Sequence, residues 1–351
     1  MNPDSSQPPS RILLRAANWV GDAVMCLPAL RHVRARFPSA HITILARPWV
    51  ADLYSRERFA DGLLIYPAAR GLRDLPSRYR LAASLRRDPF DLAILFPNSF
   101  ESAAFFWFAR ARMRIGYARD ARSPLLTHPV PPPVRDAIPR HESFYYLELL
   151  RRAGLLDQLP DSVTIRLDGM HDARRQGETR LRELGLHSTV IGVSPGAAYG
   201  GAKRWPPDRF ADAAHSLASQ LGAAVAAFGA PSERAMCEEV TANLTTRGIA
   251  ARNLAGSTSL RQFIELAAAC RLFLTNDSGS MHIASAAGVP TVAIFGATDH
   301  FATGPTGPLA RIVREPVDCS PCLLRDCPID HRCMLRVAPQ RVAQEALSLL
   351  K

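Results

Sequence analysis

An Asp-Ser-Gly sequence followed by a histidine has the residue types and the spacing to bind a phosphate. Asp277 or Ser278 stands at the N-cap position of a predicted helix, whose first-turn N–H groups are unpaired and carry the positive end of the helix dipole. Gly279 lets a ligand approach the backbone closely, and His282 lies four residues after Ser278 on the same helix face. The pattern predicts a diphosphate site, although an ordinary crossover helix would use the same polar residues only as caps.

The elements around this helix predict a βαβ unit. Short apolar runs at 272–275 and 291–295 are typical of parallel strands, and Gly288 followed by Pro290 ends the helix between them. Ligands of open parallel sheets bind at the carboxyl ends of the strands, which is where this helix begins.

A lysine in a second strand-end loop is the predicted counter-charge for the phosphate. A strand at 190–193 runs into Ser194 and Gly196, and Lys203 follows in the same loop. Together with the helix start, this loop would bind a diphosphate, and Lys203 would neutralise the charge that grows as a nucleoside diphosphate departs. The alternative is a solvated surface lysine.

Asp22 is the candidate general base. It follows a predicted strand at 12–15 and opens a helical stretch that Pro28 interrupts. A carboxylate at the carboxyl edge of a parallel sheet can take a proton from an acceptor hydroxyl. N-capping is the more ordinary use of an aspartate at this position, and it would lower the basicity of the carboxylate.

Length and composition predict two domains and an acidic partner. The 351 residues exceed one ordinary core, and strands alternate with helices in both halves, so we expect two parallel-sheet domains. The sequence has no apolar run long enough to span a bilayer, and its polar start at 1–10 predicts a disordered lead-in without a secretory signal, which favours a cytoplasmic protein. The net charge of +11 suits nucleic acid, an anionic membrane face or phosphorylated substrates, or reflects arginine-rich codon usage.

Several motifs are missing from the sequence. It contains no G-x-x-x-x-G-K-[ST] loop, which excludes a P-loop NTPase, and no G-x-G-x-x-G after either first strand, which argues against a nicotinamide enzyme. No D-x-D occurs, so a metal-held nucleotide sugar is not indicated, and no nucleic-acid reading motif accompanies the basic charge. We therefore expect no cofactor and no nucleic-acid partner.

Seven cysteines are present, and four of them are bunched around His331: Cys319, Cys322, Cys327 and Cys333. Stable disulfides are not expected in a cytosolic protein. The spacing C-x2-C-x4-C-x5-C can ligate zinc but lacks the two separated pairs of a standard finger, so a structural metal, reduced thiols and a redox-labile pair all stay open. Cys26, Cys237 and Cys270 lie in apolar helical contexts and are predicted core residues.

Four stretches of the chain carry a family resemblance: NWVGDAVMCLPALRHVRARFP (18–38), PGAAYGGAKRWP (195–206), TNDSGSMHIASAAGVPTVAIFG (275–296) and CSPCLLRDCPIDHRCM (319–334). In this order they resemble the bacterial ADP-heptose:lipopolysaccharide heptosyltransferases of glycosyltransferase family 9, and the type II enzymes most of all. The resemblance implies a GT-B type α/β fold, with two facing Rossmann-like domains of parallel sheets and a C-terminal helix crossing back to the first domain.

The resemblance also implies what each domain does. An acceptor-binding Rossmann-like domain is expected at 11–168, joined by the C-terminal helix at 339–351, and an ADP-sugar donor-binding domain at 169–338. The implied reaction is an inverting, metal-independent transfer of L-glycero-D-manno-heptose from ADP-heptose to a heptose of the lipopolysaccharide inner core. The acceptor would be lipid A–Kdo–heptose, met by a cytoplasmic protein bound peripherally to the anionic inner face of the inner membrane.

Site residues follow from the resemblance position by position. Asp22 matches the general base and Lys203 the lysine on the donor phosphates. The rest of the implied diphosphate and sugar site consists of Ser194, Gly196, Asp277, Ser278, Gly279 and His282. The implied nucleoside site consists of Glu233, Asn253, Leu254 and Gly256. Asn98 and Ser99 resemble acceptor-side residues of the family. Asn18 and Trp19, in the loop before Asp22, are also assigned to the acceptor site. The clustered arginines Arg110, Arg112 and Arg114 complete the predicted acceptor site, and with Arg119 they would meet acceptor phosphates or the anionic membrane surface.

Two alternatives stay open. A protein of the same fold could be a nucleotide-sugar epimerase or could transfer another sugar. A protein of a different class could bind a nucleotide or a polyanion without catalysis. Asn18 stands where other family members often carry serine, which leaves the choice of acceptor open.

Overall fold

A computed structural model describes residues 8–67, 74–134 and 136–351 of the chain. Residues 1–7 of the predicted lead-in lie outside the described residues. The chain divides into two compact units, Met1–Val163 and Thr164–Lys351. The boundary precedes the predicted one after residue 168, because the connector is hydrogen-bonded within the second unit. The Ile165 N–H donates to Thr306 Oγ1 over 2.9 Å, and the Leu167 N–H donates to the Ala286 carbonyl over 2.8 Å.

Unit 1 is built on parallel strands joined by helices. Its strands are β1 (Arg11–Arg15), β2 (His41–Ala46), β3 (Gly62–Ile65), β4 (Leu92–Leu95), β5 (Met113–Tyr117) and β6 (His128–Val130). Its helices are α1 (Val20–Met25), α2 (Leu27–Arg36), α3 (Pro48–Ala51), α4 (Leu75–Arg86), α5 (Phe100–Phe108) and α6 (Glu142–Arg152), with 3-10 turns at Asp52–Arg56 and Ser123–Leu125.

The strand order of unit 1 places its candidate residues. The strands pair in the order β3-β2-β1-β4-β5-β6, and every pair is parallel. β4 is buried along its whole length, as expected of a strand covered by helices on both faces. The winding reverses between β1 and β4, so the loops after these strands diverge and leave a crevice. These loops carry residues 16–19 and 96–99.

Unit 2 repeats the alternation of strands and helices. Its strands are β7 (Val190–Ser194), β8 (Ala224–Ala227), β9 (Ala251–Asn253), β10 (Leu272–Asn276), β11 (Thr291–Ile294) and β12 (Ala310–Val313). Its helices are α7 (Met170–Glu183), α8 (Pro207–Leu221), α9 (Arg234–Thr246), α10 (Leu260–Ala269), α11 (Gly279–Ala286), α12 (His300–Thr303), α13 (Arg332–Leu335) and α14 (Pro339–Ser348), with 3-10 turns at Gly201–Lys203 and Pro231–Glu233. None of the described helices of either unit has the length and apolar composition to cross a membrane.

The second sheet has the same winding as the first. Its strands pair in the order β12-β11-β10-β7-β8-β9, again all parallel. The reversal falls between β7 and β10, whose following loops carry residues 195–203 and 277–279. The predicted α/β class with two parallel sheets is confirmed, and the two predicted diphosphate loops lie at the reversal point of the second sheet.

The C-terminal helix lies in unit 2, so the prediction that 339–351 crosses back to the first domain is wrong. α14 packs against α8, β11 and β12. Its apolar residues Val342, Ala343 and Ala346 are buried in the same cluster as Phe210 of α8. The apolar face of α14 therefore packs on the sheet of unit 2.

Smaller differences concern element ends and short strands. The break predicted at Pro28 is confirmed, because α1 ends at Met25 and α2 begins at Leu27. Asp22 does not open the helix, since α1 starts at Val20. The strands β6, β9 and β12 were not predicted, because each is three or four residues long and only partly buried. The strand β5 was not predicted either, because its first residues belong to the arginine-rich stretch.

Helices α7 and α10 approach each other closely at Gly177. A Cβ atom at this position would overlap the backbone carbonyl of Glu265 in α10. The side chain of Glu265 is buried and accepts from Arg180 Nε over 2.8 Å and from Arg261 Nε over 3.2 Å. The pair between Arg180 of α7 and Glu265 of α10 joins the two helices at a separation that leaves no room for a side chain at Gly177.

We expect Gly177→Ala to lower the free energy of unfolding by about 1–3 kcal/mol, because the added methyl group forces the helices apart. Urea unfolding followed by circular dichroism measures the change. The control is Glu178→Ala, an exposed position on the same helix, which should leave stability almost unchanged. Equal stability of the two variants would contradict the close contact.

Candidate functional site

An ion pair joins the two ligand loops of unit 2. Lys203 lies in the loop after β7 and Asp277 follows β10, and Lys203 Nζ lies 2.6 Å from Asp277 Oδ2. The Lys203 side chain is 13% exposed and the Asp277 side chain 4% exposed. Two charges so shielded from water are stable only as a pair, so each holds the other in place. The structure brings these two predicted residues together, with Asp277 bound to the lysine.

Two hydroxyl groups complete the environment of Asp277. Thr298 Oγ1, after β11, donates to Asp277 Oδ2 over 2.6 Å, and Thr303 Oγ1, at the end of α12, lies 3.4 Å from the same oxygen. One ammonium group and two hydroxyls therefore share the negative charge of this carboxylate. The sequence analysis missed both threonines, because no local motif marks them.

A buried amide fixes the loop that carries Lys203. Asn276, the last residue of β10, donates from Nδ2 to the Pro195 carbonyl over 2.7 Å and accepts at Oδ1 from the Trp205 N–H over 3.0 Å. Trp205 is itself buried, and its Nε1 donates to the Val337 carbonyl over 3.2 Å. A single side chain thus ties both ends of the loop to the neighbouring strand.

The start of α11 is open in the way that the sequence predicts. Ser278 occupies the N-cap position in an extended conformation, and its side chain makes no capping hydrogen bond. Its Oγ instead lies 3.2 Å from Thr275 Oγ1. The first-turn N–H groups from Gly279 onward are therefore not taken by the cap side chain. His282 is buried one turn further along the helix.

The loop after β7 also touches the loop after β8. A Cβ atom at Gly196 would overlap the carboxylate of Glu233, so a larger residue here would displace that carboxylate. Glu233 Oε2 accepts from the Ala230 N–H over 2.8 Å, which holds the carboxylate in this position. Ser194, two residues before Gly196, is buried as the last residue of β7.

The predicted nucleoside residues surround the end of β9. Asn253 Nδ2 donates to Glu238 Oε2 over 2.7 Å, and Leu254 is buried. Gly256 adopts a φ of +73°, the left-handed region that favours glycine. Asn253, Leu254 and Arg234 line part of a cavity of about 490 Å³.

The cysteine-rich segment, residues 319–333, supports the Lys203 loop from outside. The Ala202 N–H donates to the Arg325 carbonyl over 2.8 Å, and His331 Nε2 lies 3.0 Å from the Ala202 carbonyl oxygen. Both contacts fall on the residue before Lys203. The position of the lysine therefore depends on this segment, which the sequence analysis did not anticipate.

The cysteines of this segment are all free thiols of different exposure. Cys333 is buried, Cys322 and Cys327 are half-buried, and Cys319 is exposed. Burial, followed by the other three thiols, raises the pKa of Cys333. Within the described ranges, no group of three or more histidine, cysteine or acidic side chains is placed to hold a metal ion. The other predicted core cysteines, Cys26, Cys237 and Cys270, are buried as expected.

In unit 1, Asp22 lies in the first turn of α1. The N-cap residue is the exposed Trp19, which makes no side-chain capping bond, so Asp22 is not the cap and its charge is favoured by the helix dipole. α1 packs against α6, which begins at Glu142. Burial, then the negative charge of Asp22, raise the pKa of Glu142 to about 7, while Arg119 opposes the shift. Glu142 is a second carboxyl group here, which the sequence analysis missed.

Asn98 is held at the end of β4 by a buried arginine. Its Nδ2 donates to Tyr145 Oη over 3.0 Å, and its Oδ1 accepts from Arg122 Nη2 over 3.3 Å. Arg122 is fully buried and also donates to the Pro97 carbonyl and, from Nε, to the Tyr117 carbonyl over 2.8 Å. Burial lowers the pKa of Arg122 to about 10. Arg122 therefore holds Asn98 in place and presents no charge at the surface.

The other predicted acceptor residues, Asn18, Trp19 and Ser99, differ in exposure and in their hydrogen bonds. Asn18 Oδ1 accepts from Arg15 Nη2 over 2.7 Å, and the Asn18 carbonyl accepts from Trp49 Nε1 over 2.7 Å. Trp19 is exposed to solvent. Ser99 is the N-cap of α5, and its Oγ accepts from an N–H of the first turn over 3.3 Å.

The structure does not bring Arg110, Arg112 and Arg114 together with Asp22. These arginines precede or begin β5, and the Arg112 N–H donates over 2.9 Å to the carbonyl of Phe90, which precedes β4. They lie at the amino edge of the parallel sheet, whereas Asp22 and the other acceptor residues follow the carboxyl ends of strands. Because position in the sequence does not reveal the edge of a sheet, the sequence groups these arginines with residues that the fold places at the opposite edge.

Comparisons with known proteins point to one family. The family model for "Glycosyltransferase family 9 (heptosyltransferase)" matches residues 78–332 of this chain. Lipopolysaccharide heptosyltransferase 2 of Salmonella typhimurium is 33% identical over 97% of this chain and 98% of that protein. The protein of the same name from Escherichia coli is 32% identical over 97% of this chain and 98% of its own length. The solved structure of the E. coli ADP-heptose LPS heptosyltransferase II matches with a TM-score of 0.81 and 30% identity, covering 97% of this chain and 98% of that one.

The raised pKa of Glu142 predicts a pH-dependent loss of stability. The folded protein keeps a proton on Glu142 that the unfolded chain releases near pH 4.5, so this stabilisation is lost as the pH rises toward about 7. Glu142→Gln stays neutral, and we expect its free energy of unfolding, relative to the wild type, to rise by roughly 1–3 kcal/mol between pH 5 and pH 8. Urea unfolding at the two pH values measures this, with the exposed Glu239→Gln as control. A difference that is the same at both pH values would refute the burial of a protonated Glu142.

Proposed function

The chain belongs to glycosyltransferase family 9, the heptosyltransferases, and we propose that it transfers L-glycero-D-manno-heptose from ADP-heptose to a heptose of the lipopolysaccharide inner core. Unit 2 binds the donor, and unit 1 binds the lipid A–Kdo–heptose acceptor. The observation that carries the proposal is the buried pair of Lys203 and Asp277, 2.6 Å apart, next to the open start of α11. It occurs in a chain that is 33% identical to a lipopolysaccharide heptosyltransferase 2.

Lys203 and α11 bind the diphosphate of the donor. A lysine ammonium group has three N–H donors, and the bond to Asp277 uses one of them, so two remain for phosphate oxygens. The first-turn N–H groups of α11 supply further donors and a positive dipole end, and Ser278 and His282 flank them. Negative charge grows on the phosphate as its bond to the sugar breaks, and these groups stabilise it without a bound cation.

The nucleoside lies along the ends of β8 and β9. Glu233 accepts from the ribose hydroxyls, while Asn253, Leu254 and Gly256 form the adenine side. The cavity lined by Asn253 and Leu254 supports this assignment. The contact between Gly196 and Glu233 supports it further, because it joins the diphosphate loop to the ribose end.

Asp22 acts as the general base. It takes the proton of the acceptor hydroxyl, whose oxygen bonds to the anomeric carbon from the face opposite ADP while the bond to the phosphate oxygen breaks. This displacement inverts the anomeric configuration. Asn98 and Asn18 bind acceptor hydroxyls, and the hydrogen bonds from the buried Arg122 and Arg15 hold the two amides in place.

The acceptor is anchored in a membrane, so we place the reaction at the cytoplasmic face of the inner membrane. The protein binds this surface peripherally. The net charge of +11 supports the assignment, since anionic headgroups attract a basic protein.

Asp22→Asn should lower kcat by roughly a hundredfold or more while leaving ADP affinity unchanged, because the amide cannot take a proton and unit 2 binds the nucleotide. Transfer from ADP-heptose to heptose-truncated core is measured by the mass of the product, and ADP affinity by calorimetry. The control is Asp157→Asn, an exposed aspartate of the same unit. Full turnover by Asp22→Asn, or release of free sugar with every acceptor, would disprove the transfer mechanism.

Lys203→Met should weaken ADP binding and also destabilise unit 2 by about 3–5 kcal/mol, because Asp277 stays buried without its counter-charge. The double variant Lys203→Met/Asp277→Asn should recover most of the stability but not the affinity. Thermal unfolding and calorimetric titration with ADP separate the two effects. Recovery of ADP affinity in the double variant would show that Lys203 serves only the fold.

A further inference from the structure

Helix α5 of unit 1 is apolar on the side that faces solvent. Apart from Glu101 and Ser102, every residue of α5 is apolar, and Ala103, Phe105 and Phe106 already fill its inward side. The outward residues Phe100, Trp107 and Phe108 are 52%, 48% and 48% exposed. A surface helix normally turns polar residues toward water, and an all-apolar helix is normally covered on every side.

The neighbouring helix α4 extends this apolar surface. α4 packs beside α5, and the Tyr79 ring meets the Phe108 ring edge-on at a centroid distance of 6.5 Å. Trp107 and Phe108 are themselves 5.0 Å apart. Leu75 and Tyr79 of α4 are also exposed. We call the exposed side chains of the two helices the aromatic face: Leu75, Tyr79, Phe100, Trp107 and Phe108.

Helix α4 and the segments that follow α4 and α5 carry a basic rim. Its exposed arginines are Arg80, Arg86, Arg87, Arg110 and Arg112. The acidic residues nearby are already paired: Asp74 with Arg78, Asp88 with Arg11, Asp91 with Arg112 of the rim, and Glu101 with Arg47 and Arg78. The surroundings of the aromatic face are therefore positively charged.

We propose that the aromatic face and its basic rim dock this protein on an anionic phospholipid bilayer. The inference rests on the proposed function, which requires a lipid-anchored acceptor, and names the part of the chain that meets the lipid. Tryptophan, tyrosine and phenylalanine side chains lie at the level of the headgroups, and guanidinium groups bind the phosphates beside them. An apolar patch of this kind, rimmed by charge, marks an interaction surface.

Charge argues for a bilayer over a second copy of the chain. A symmetric dimer through the aromatic face would set one arginine rim against the other. Like charges in such a contact repel, and the acidic residues nearby are already paired. An anionic membrane instead supplies the opposite charge over the whole face.

The test is co-sedimentation of the full chain with vesicles of phosphatidylcholine containing one quarter phosphatidylglycerol. We expect binding that weakens with salt and is at least tenfold weaker on pure phosphatidylcholine. Trp107→Ser/Phe108→Ser should lower binding to the anionic vesicles at least tenfold. The matched control is Leu324→Ser/Ile329→Ser, which removes two exposed apolar side chains from unit 2 and should bind like the wild type.

Two further measurements separate this proposal from its alternatives. Transfer to a water-soluble core oligosaccharide should be unchanged in Trp107→Ser/Phe108→Ser, which shows that the variant is folded. Failure of the wild type to transfer heptose would overturn the proposed function. The vesicle-binding result would still test the docking surface, because it does not depend on transfer. Wild-type vesicle binding by the Trp107→Ser/Phe108→Ser variant, or a wild-type dimer in sedimentation that this variant loses, would overturn the docking surface.

Discussion

The ion pair between Lys203 and Asp277 is the interaction on which the candidate donor site depends. The loops that carry the two residues follow β7 and β10, where the winding of the sheet reverses and the chain departs in opposite directions. The Asn276 amide at the end of β10 ties the backbone of the β7 loop to its neighbour, but it does not fix the Lys203 side chain. The 2.6 Å contact does so across the reversal point, and it keeps an ammonium group oriented at the start of α11. Because both side chains are shielded from water, replacing either one alone would leave the other as an unpaired buried charge.

The sequence predicts the β10–α11–β11 unit well because its signals are local. Apolar runs, a serine N-cap and a Gly-x-Pro stop define its ends without help from the rest of the chain. The hydroxyls of Thr298 and Thr303 have no such signal, since they reach Asp277 only after β11 and α12 have packed. The destination of α14 was missed for a related reason. An amphipathic pattern says that one helix face is buried, but it does not say which surface covers it.

Counting arginines proved a poor guide to where positive charge lies in unit 1. Arg15 and Arg122 are buried, and both donate hydrogen bonds to backbone carbonyls and to the amides of Asn18 and Asn98. They hold polar side chains at the crevice and contribute little to the surface. Arg112 is exposed, yet it stands at the other edge of the sheet. Tertiary packing decides whether an arginine is buried and at which edge of the sheet it lies. The net charge of +11 carries no information on either point.

The amide of Asn276 has a consequence for redesign of the donor loop. One side of the amide donates to Pro195 and the other accepts from Trp205, so the loop closes only around a group with both properties. An aspartate would keep the acceptor and lose the donor, and leucine would lose both. A loop grafted between residues 195 and 205 from another sugar transferase must therefore bring its own strand-terminal partner with it. The loop would have to be exchanged together with Asn276, which lies 71 positions beyond Trp205 in the chain.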